Sequence, residues 1–420
     1  MDHVSSAAAL TAASSLSKHV DAVMAAEQVC EEVGSGVVAG SVDLAMFFVS
    51  GRHVDHVGPI AEVIARTLNP GTLLGVSAEA VVGGQIEAEE ASAISLFAAS
   101  MPGTTLHSFA YRDLPHVREG DSDSLVALAE AIGARRDLRG ILFFADPTSV
   151  PAAAAVDALS SVPTVVEGLK RAPVIGGMAS AAPPPAPGGN VLYLNGQLSR
   201  SGGIGLTIRG DVNIDTIVSQ GCRPIGKPLL VTAGQRNIIK TLGGRKAIEA
   251  LRDIVMALPP EDRELLPRGV YVGRVIDEYK PRFGRGDFLI RGVLGVDQAT
   301  GAIAIGDLVK PGQTIQFHLR DAQTATEDLQ LLLAAEELRT PPVGGLIFTC
   351  NGRGKKLFGA PNHDAEMIAS AVKRADGSPV PMSGFFAAGE IGPVGTQSFV
   401  HGQTASIAFL RPRSRGEDRE

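Results

Sequence analysis

Short runs of apolar residues alternate along the chain with segments in which apolar residues recur every three or four positions. Runs such as 43–51 and 139–146 have the length and the bordering glycine or polar residues of strands. The segment near 58–68 has the spacing of an amphipathic helix. Asn195-Gly196 lies between two strand-like runs, and this dipeptide is typical of a tight hairpin turn. The alternation therefore predicts an α/β protein.

Three segments share one order of elements: a strand, a polar loop, a helix, a glycine-marked strand, a turn and a further strand. They begin at DLAMFFVSG (43–51), GILFFADP (140–147) and GLIFTCNGRG (345–354). Such units predict mixed sheets rather than one purely parallel sheet. The fold class we expect is α/β, with two domains of mixed, largely antiparallel sheets and flanking helices, built from repeated β-α-β-β units. The spacing between copies is irregular, so a solenoid is not implied.

Changes in composition along the chain indicate the domain boundaries. Alanine-rich helical periodicity near the N-terminus predicts a helical lead-in over residues 1–40. The composition shifts near residue 211, so we expect one domain over 41–209 and a second over 211–411. The last residues, 412–420, are charged and have no apolar face, which predicts a disordered tail.

Charge excludes several classes of partner. The 420 residues contain 38 Lys and Arg against 45 Asp and Glu, a net charge of -7. A chain of this charge has no electrostatic footprint for phosphate backbones, so we expect no nucleic-acid partner and no anionic membrane surface. The chain also contains no run of about 18 apolar residues, which is what a membrane span requires.

Cysteine usage and the N-terminus indicate the compartment. Cys30, Cys222 and Cys350 are far apart, and an odd number of isolated cysteines excludes a disulfide framework and a zinc site. His53 and His56 are three residues apart but have no third ligand in view, so we expect no metal. The N-terminus lacks the basic and continuous apolar regions of a signal peptide. We therefore expect a reduced, cytoplasmic protein without a cofactor.

Common catalytic motifs are absent: the sequence has no P-loop, no dinucleotide-binding glycine motif after a strand, no HExxH and no GxSxG. Polar clusters bracketed by glycine remain at the predicted strand ends, where a rigid scaffold can position a ligand. The candidate ligand-binding residues in these clusters are Glu79, Cys222, Arg223, Asp277, Arg285, Asp287, His318, Arg320, Cys350, Asn351, Arg353 and Glu390.

The chemistry of these clusters suits a small charged ligand. Arg353 follows Cys350 among glycines, and its planar guanidinium matches a carboxylate. Arg223, next to Cys222, repeats the pairing in another loop. Alternation along its strand predicts that Arg320 and His318 share one face while Phe317 and Leu319 take the other, with Asp321 capping the next helix. Glu390 or Asp277 could then hold an ammonium group.

Plainer interpretations of the same residues stay open. A cysteine at a strand end is often packing only, and His318 could be a hydrogen-bonded core histidine. Asp277, Arg285 and Asp287 could form an ion-pair network on the surface. Glu79 and Glu390 could each be exposed or held in a salt bridge.

Several of these strings together resemble the FIST (F-box and intracellular signal transduction) proteins. The resemblance covers about residues 40–411 and is carried by GVSAEAVVGG, VSQGCRPIG, IDEYKPRFGRGDFLIR, GQTIQFHLRDA, FTCNGRGKKLFG, HDAEMI and GFFAAGEIGPVG with FVHGQTASIAFL. It implies an N-terminal FIST domain to about residue 209 and a C-terminal FIST domain from about 211. It also implies a sensory module for small ligands, with amino acids or related metabolites as proposed ligands. The family supplies no catalytic residues, and this chain shows no kinase, cyclase or F-box pattern.

Three functions follow as hypotheses, in this order. The first is a stand-alone sensory protein for signal transduction that binds an amino acid or similar charged metabolite in a pocket of strand-end loops, with a possible protein signalling partner. The second is a thiol-dependent enzyme that uses Cys350 or Cys222, activated by arginine and His318. The third is a scaffold that recruits a protein partner.

Overall fold

The computed structural model of the protein describes residues 9–37, 41–118, 120–169, 171–182 and 188–413. They form two compact units. Unit 1 contains the described residues up to Val218, together with Leu332–Val400 and the residues from Ala405 onward. Unit 2 contains Ser219–Leu331 and His401–Thr404. The chain therefore leaves unit 1 after Val218 and returns to it at Leu332.

The first part of unit 1 alternates strands with helices. Its strands are β1 Thr11–Ser17, β2 Leu44–Ser50, β3 Thr72–Ala78, β4 Val81–Gly83, β5 Ile86–Ala88, β6 Ile94–Ser100, β7 Thr104–Ala110, β8 Leu138–Ala145, β9 Val174–Met178, β10 Leu192–Leu194, β11 Gln197–Ser199, β12 Gly203–Gly210 and β13 Val212–Gln220. Its helices are α1 Ala22–Gly36, α2 Val57–Leu68, α3 Ser122–Ala131 and α4 Ala152–Ser161, with short 3-10 helices at Gly51–His56, Tyr111–Asp113 and Val162–Thr164.

Unit 2 is dominated by strands, and the chain then returns to unit 1. The strands of unit 2 are β14 Cys222–Gln235, β15 Ile238–Leu242, β16 Arg245–Lys246, β17 Val270–Val275, β18 Phe288–Val296, β19 Ile303–Ile305 and β20 Thr314–Arg320. The helices that follow β16 and β20 are α5 Ala247–Met256, α6 Pro260–Arg263, a 3-10 helix at Leu266–Arg268, and α7 Ala322–Glu336. The returning segment contains β21 Gly344–Cys350, α8 Lys355–Phe358, α9 His363–Ala371, β22 Met382–Ala387, β23 Glu390–Val394, β24 Gln397–His401 and β25 Thr404–Pro412.

Unit 1 is built from three copies of one arrangement, each with its own sheet. A parallel pair of strands lies at the centre of each sheet: β2 with β3, β8 with β9, and β21 with β22. Helices connect each pair, because parallel strands need a crossover connection. The last strand of each copy (β6, β12 or β25) pairs antiparallel with the first strand of the central pair, and the opening strand (β1, β7 or β13) lies beyond it.

Each copy gives a short hairpin to the sheet of another copy. The hairpin β4–β5 of copy 1 extends the sheet of copy 3 at β22, where Val81 lies opposite Phe385. The hairpin β23–β24 of copy 3 extends the sheet of copy 2 at β9, and β10–β11 of copy 2 extends the sheet of copy 1 at β3. Each sheet of unit 1 therefore contains six strands, four of its own copy and two of another.

The three central strands meet in the core of unit 1 through phenylalanines. Phe48 of β2, Phe144 of β8 and Phe348 of β21 contact one another, with ring centroids 5.4 to 6.3 Å apart. Phe385 of β22 packs against all three rings. Tilted and edge-to-face contacts of this kind add to the free energy of burying the rings. This cluster joins the three copies.

Unit 2 holds one antiparallel sheet that closes on itself. Its strand order is β14-β20-β17-β18-β19-β15-β16, and the far half of the long strand β14 also pairs with β15. Closure leaves few unpaired strand edges. The core of this unit is apolar and includes Ile225, Val231, Val272, Phe317 and Leu319.

The predicted fold class is confirmed: the protein is α/β, with mixed or antiparallel sheets, flanking helices and repeated β-α-β-β units. The three segments recognised in the sequence are the three copies of unit 1. The Asn195-Gly196 turn joins β10 to β11, and both residues have positive φ (44° and 90°), as a two-residue hairpin turn requires.

Other features differ from the expectation. Helix α1 begins at Ala22, whereas Thr11–Ser17, within the predicted helical lead-in, form β1 because they pair with β6 along their whole length. The expected boundary near residue 211 falls just before β13. The chain returns to unit 1 at Leu332, however, so the two units are not consecutive along the sequence as expected. Residues 1–8 of the lead-in and 414–420 of the predicted tail lie outside the described residues. Within the described part of the chain, no helix is long and apolar enough to cross a bilayer.

Candidate functional site

The predicted ligand-binding residues divide between the two units. Those in unit 1 are Glu79, Cys350, Asn351, Arg353 and Glu390; those in unit 2 are Cys222, Arg223, Asp277, Arg285, Asp287, His318 and Arg320.

Cys222, His318 and Arg320 lie on one face of the sheet of unit 2. Arg320 of β20 is directly opposite Cys222 of β14, and His318 is opposite Pro224. Side chains of directly paired residues point to the same face of a sheet, while their neighbours along the strand point to the other. Phe317 and Leu319 are accordingly buried in the core. The predicted division of this strand into two faces is confirmed.

Arg320 lies on this face with one edge of its guanidinium unpaired in the described part of the chain. The residue is half-buried, and its Nε and Nη2 are buried atoms that meet no hydrogen-bond acceptor among the residues that the structure describes. These two N–H groups form the parallel fork with which arginine binds a carboxylate or phosphate at two points. A buried donor without an acceptor is costly, so this edge of Arg320 favours an anion.

Arg223 is held by protein carboxylates instead. Its Nη2 donates to Asp262 at 2.5 Å, and its Nε lies 3.3 Å from Asp321. Asp321 also accepts hydrogen bonds from the Gln323 N–H and the Thr324 hydroxyl at the start of α7, so it caps that helix as predicted. Arg223 therefore ties β14 to α6 and to the start of α7.

His318 is a buried, neutral imidazole. Its Nδ1 lies 3.0 Å from the Gln316 carbonyl oxygen, and its ring packs edge-on against Phe288. Burial lowers the pKa of His318 from 6.5 to about 4. A Cβ at Gly273 of β17 would come within 2.4 Å of the imidazole, so the glycine at this position leaves room for the ring.

The loop between β17 and β18 is polar, and its charged side chains form local contacts. Asp277 accepts from the Tyr279 N–H, Lys280 pairs with Asp287, and Arg285 pairs with Glu327. These contacts agree with the alternative of a surface ion-pair network.

Asp328 of α7 was not among the predicted residues. It is buried and accepts hydrogen bonds from the Ser219 hydroxyl and the Gln220 N–H. Its signal was a carboxylate on the apolar face of a helix.

Arg353 in unit 1 binds a carboxylate through the same two groups, Nε and Nη2, that in Arg320 are unpaired among the described residues. Its Nε and Nη2 donate to the two oxygens of Asp364 at 2.7 and 2.8 Å. The guanidinium is completely buried and lies over the Phe358 ring. The backbone N–H of Arg353 donates to the Cys350 carbonyl oxygen. Asp364 is the second residue of the HDAEMI string, and Arg353 belongs to FTCNGRGKKLFG, so two of the family-like strings meet in this ion pair.

Glu87 completes this cluster and was not among the predicted residues. Its Oε1 accepts from the N–H groups of Asp364 and Ala365, at 3.0 and 3.1 Å. Burial, and then the charge of Asp364, raise the pKa of Glu87 to about 8. Glu87 lies on the hairpin that copy 1 gives to copy 3, and no pattern in the sequence places that hairpin beside α9.

The remaining predicted residues of unit 1 surround this cluster. Glu79 pairs with Lys356 at 2.6 Å on the exposed side. Glu390 is buried at the start of β23, and the Asn351 N–H donates to the Ala387 carbonyl oxygen. Cys350 is buried at the end of β21. The described residues include no group of three or more His, Cys, Asp or Glu placed to hold a metal ion.

Cavities of about 450 to 580 Å³ occur in unit 1, but they are lined by residues outside the predicted set. The sequence therefore identified strand-end residues that the fold brings together in two groups, Cys222 with His318 and Arg320, and Arg353 with Cys350 and Asn351. Neither group lines one of these cavities.

Known proteins match the chain along most of its length. The model of the FIST N domain matches residues 43–245, and that of the FIST C domain matches 247–393, so the two meet between β16 and α5. The uncharacterised protein Rv0628c of Mycobacterium tuberculosis is 39% identical over 392 residues, which cover 93% of this chain and 95% of that protein. The uncharacterised protein Mb0898c of Mycobacterium bovis is 35% identical over 392 residues, which cover 93% of this chain and 96% of that protein. The similarity thus includes residues of both units.

Proposed function

Because this chain belongs to the FIST family, whose domains are associated with signal transduction and sensing, we propose that it is a cytoplasmic sensory protein that binds a small carboxylate, such as an amino acid, at Arg320. The observation that carries the proposal is the buried Nε and Nη2 edge of Arg320, which meets no acceptor among the described residues. Asp364, bound by the same edge of Arg353, is the model for how the ligand carboxylate is held.

The neighbours of Arg320 suit recognition of a small molecule. Cys222 lies opposite it on β14, and His318 lies two residues away on the same face. A neutral His318 adds no second positive charge beside Arg320. Asp277, in the same unit, stays the predicted partner of an ammonium group if the ligand is an amino acid. A protein signalling partner completes the proposed role.

Ligand screening of the intact chain tests the proposal. Amino acids and small organic acids are screened by thermal shift, where a ligand at 100 times its Kd stabilises the folded state by about 2.7 kcal/mol. Isothermal titration then gives the Kd of each hit. Charged hydrogen bonds contribute about 1.5–3 kcal/mol each, so Arg320→Ala is expected to weaken binding roughly 100-fold. Arg320→Lys should also weaken binding, because an ammonium group lacks the two-point fork.

Arg245→Ala is the matched control, because Arg245 lies in the same unit but is exposed and paired with Asp253. It should leave the Kd unchanged. A screen without a hit, or a hit whose Kd is the same in Arg320→Ala, contradicts the proposed site. Rapid alkylation of Cys222 or Cys350 in the native protein would favour the thiol-dependent alternative, although both thiols are buried.

A further inference from the structure

A polar cavity lies in unit 1, beside the turn of the hairpin β23–β24. It has a volume of about 490 Å³ and is bounded by that turn, by β13, by the first residues of β8 and by the residues that lead into β9. This volume is within the range of cavities that hold small ligands. Its charged lining residues are Arg139, Arg171, Arg339 and Asp215, so positive groups outnumber negative ones in a chain whose net charge is -7.

Asp215, the one carboxylate among the described residues that line the cavity, is neutralised from two sides. Asp215 lies 2.7 Å from Nη1 of Arg339 and 2.6 Å from Nη1 of Arg411. Glu336, which binds the other end of Arg411 at 2.8 Å, holds this group of charges in place. Glu336 also lies 3.6 Å from Arg339, so the two arginines and the two carboxylates balance in charge, and the excess positive charge of the cavity is that of Arg139 and Arg171.

The repeated architecture of unit 1 provides an internal comparison. An equivalent cavity lies beside the turn of the hairpin β4–β5, between β1 and the residues before β22. The Pro173 carbonyl oxygen accepts a hydrogen bond from the first strand of its parallel pair, β8, and the Pro381 carbonyl oxygen accepts one from β21, so the two prolines hold equivalent positions. Two residues before them, the chain has Arg171 beside the first cavity and Pro379 beside the equivalent one. The charged lining of that second cavity is one glutamate and one arginine. The fold creates the cavity without needing the arginines.

We propose that the cavity of Arg139, Arg171 and Arg339 binds a compact, multiply charged oxyanion, either a phosphate ester or a polycarboxylate. Guanidinium groups bind both kinds of oxyanion at two points, and several of them around one cavity favour a ligand with more than one negative charge. Among the described residues that line the cavity, none is aromatic, so it offers no surface on which a nucleobase would stack. This site is separate from the one proposed at Arg320.

Isothermal titration of the intact protein at low ionic strength tests the proposal, with inorganic pyrophosphate and citrate as probes and acetate as the monovalent comparison. Pyrophosphate, citrate or both should bind, and acetate should bind far more weakly. Arg171 is exposed at the cavity, so its substitution is not expected to disturb folding. Arg171→Ala should raise the Kd at least about 10-fold, and Arg171→Glu should abolish binding.

Arg374→Ala, in the equivalent cavity, is the matched control and should leave the Kd unchanged. Binding of pyrophosphate alone assigns the cavity to phosphate esters, and binding of citrate alone assigns it to polycarboxylates. The proposal is overturned if neither probe binds at millimolar concentration, or if Arg171→Glu binds as well as the unmodified chain. Binding that is lost in Arg320→Ala but kept in Arg171→Glu also overturns it, because the anion then sits at the other site.

Discussion

Arg353 and Asp364 form a two-point ion pair whose side chains are 0% and 1% exposed. Removing one partner of such a pair leaves a charge buried without compensation, whereas the intact pair is neutral and fully oriented. We predict that Arg353→Ala lowers the free energy of unfolding of unit 1 by about 3–5 kcal/mol. Urea denaturation measures the loss.

Arg285→Ala is the control for this prediction, because Arg285 also pairs with a carboxylate, that of Glu327, but on the surface. Pairs of that kind stabilise the folded state by less than about 1 kcal/mol. Similar losses in the two variants would show that the burial of the Arg353 pair does not matter.

Glu87 is expected to make unit 1 less stable in alkaline solution. Its pKa is raised from 4.5 to about 8, so the folded chain keeps a proton that the unfolded chain releases between these values. Stability therefore falls as the pH rises through this window, and the loss is complete above about pH 8. Glu87→Gln removes the titration, so the variant should match the unmodified protein near pH 5 and exceed it in stability near pH 9.

Urea denaturation at several pH values checks this prediction. Glu366→Gln serves as a control, since Glu366 lies on α9, the helix whose first N–H groups Glu87 binds, but is exposed. If the Glu87→Gln and unmodified proteins lose stability in parallel between pH 5 and 9, Glu87 does not titrate as expected.

His318 is expected to act in the opposite direction in unit 2. Its pKa is lowered from 6.5 to about 4, so between these pH values His318 is protonated in the unfolded chain but not in the folded one. The stability that His318 contributes is complete above about pH 6.5 and is lost as the pH falls toward 4. The protection factors of the β17 and β20 amides, which correct the measured exchange for its intrinsic pH dependence, should therefore fall on acidification, and His318→Gln should reduce that dependence. An unchanged dependence in the variant would assign the acid sensitivity to other groups.

Gly384 is expected to tolerate no side chain. A Cβ at this position of β22 would lie 1.7 Å from the Ile347 carbonyl oxygen of β21, and a backbone atom in a paired strand cannot move aside. Gly384→Ala should cost more than about 4 kcal/mol or prevent folding. Gly58 of α2 has no atom within 4 Å of an added Cβ, so Gly58→Ala should keep or raise the melting temperature. Equal melting temperatures for the two variants would contradict the close approach.

The parts of the fold that follow from local patterns could be predicted from the sequence. Apolar runs, helical periodicity and the Asn195-Gly196 turn located most elements, and their recurrence identified the three copies. Thr11–Ser17 consists of small residues that suit a helix or a strand equally, so only pairing with β6 decides its structure. The exchange of hairpins depends on contacts between distant segments, and no local pattern encodes it.

The same limit applies to the candidate site. Alternation predicted that His318 and Arg320 share a face, and this is what the sheet shows. The place of Glu87 in the Arg353 cluster could not be predicted. In the sequence Glu87 is an ordinary hairpin residue, and only the pairing of β4 with β22 brings it beside Asp364. Burial, which decides the pKa of Glu87 and of His318, is a property of the assembled sheets.

The hairpin exchange in unit 1 leaves the three copies without a first or a last member. In a linear repeat array the number of repeats can change, because each repeat contacts only its neighbours and end repeats cap the array. Here the loss of one copy would leave one hairpin without an acceptor sheet and another sheet two strands short. New sequence can enter only at connections outside this cycle of exchange, and the link between β13 and β21, where the chain forms unit 2, is such a connection.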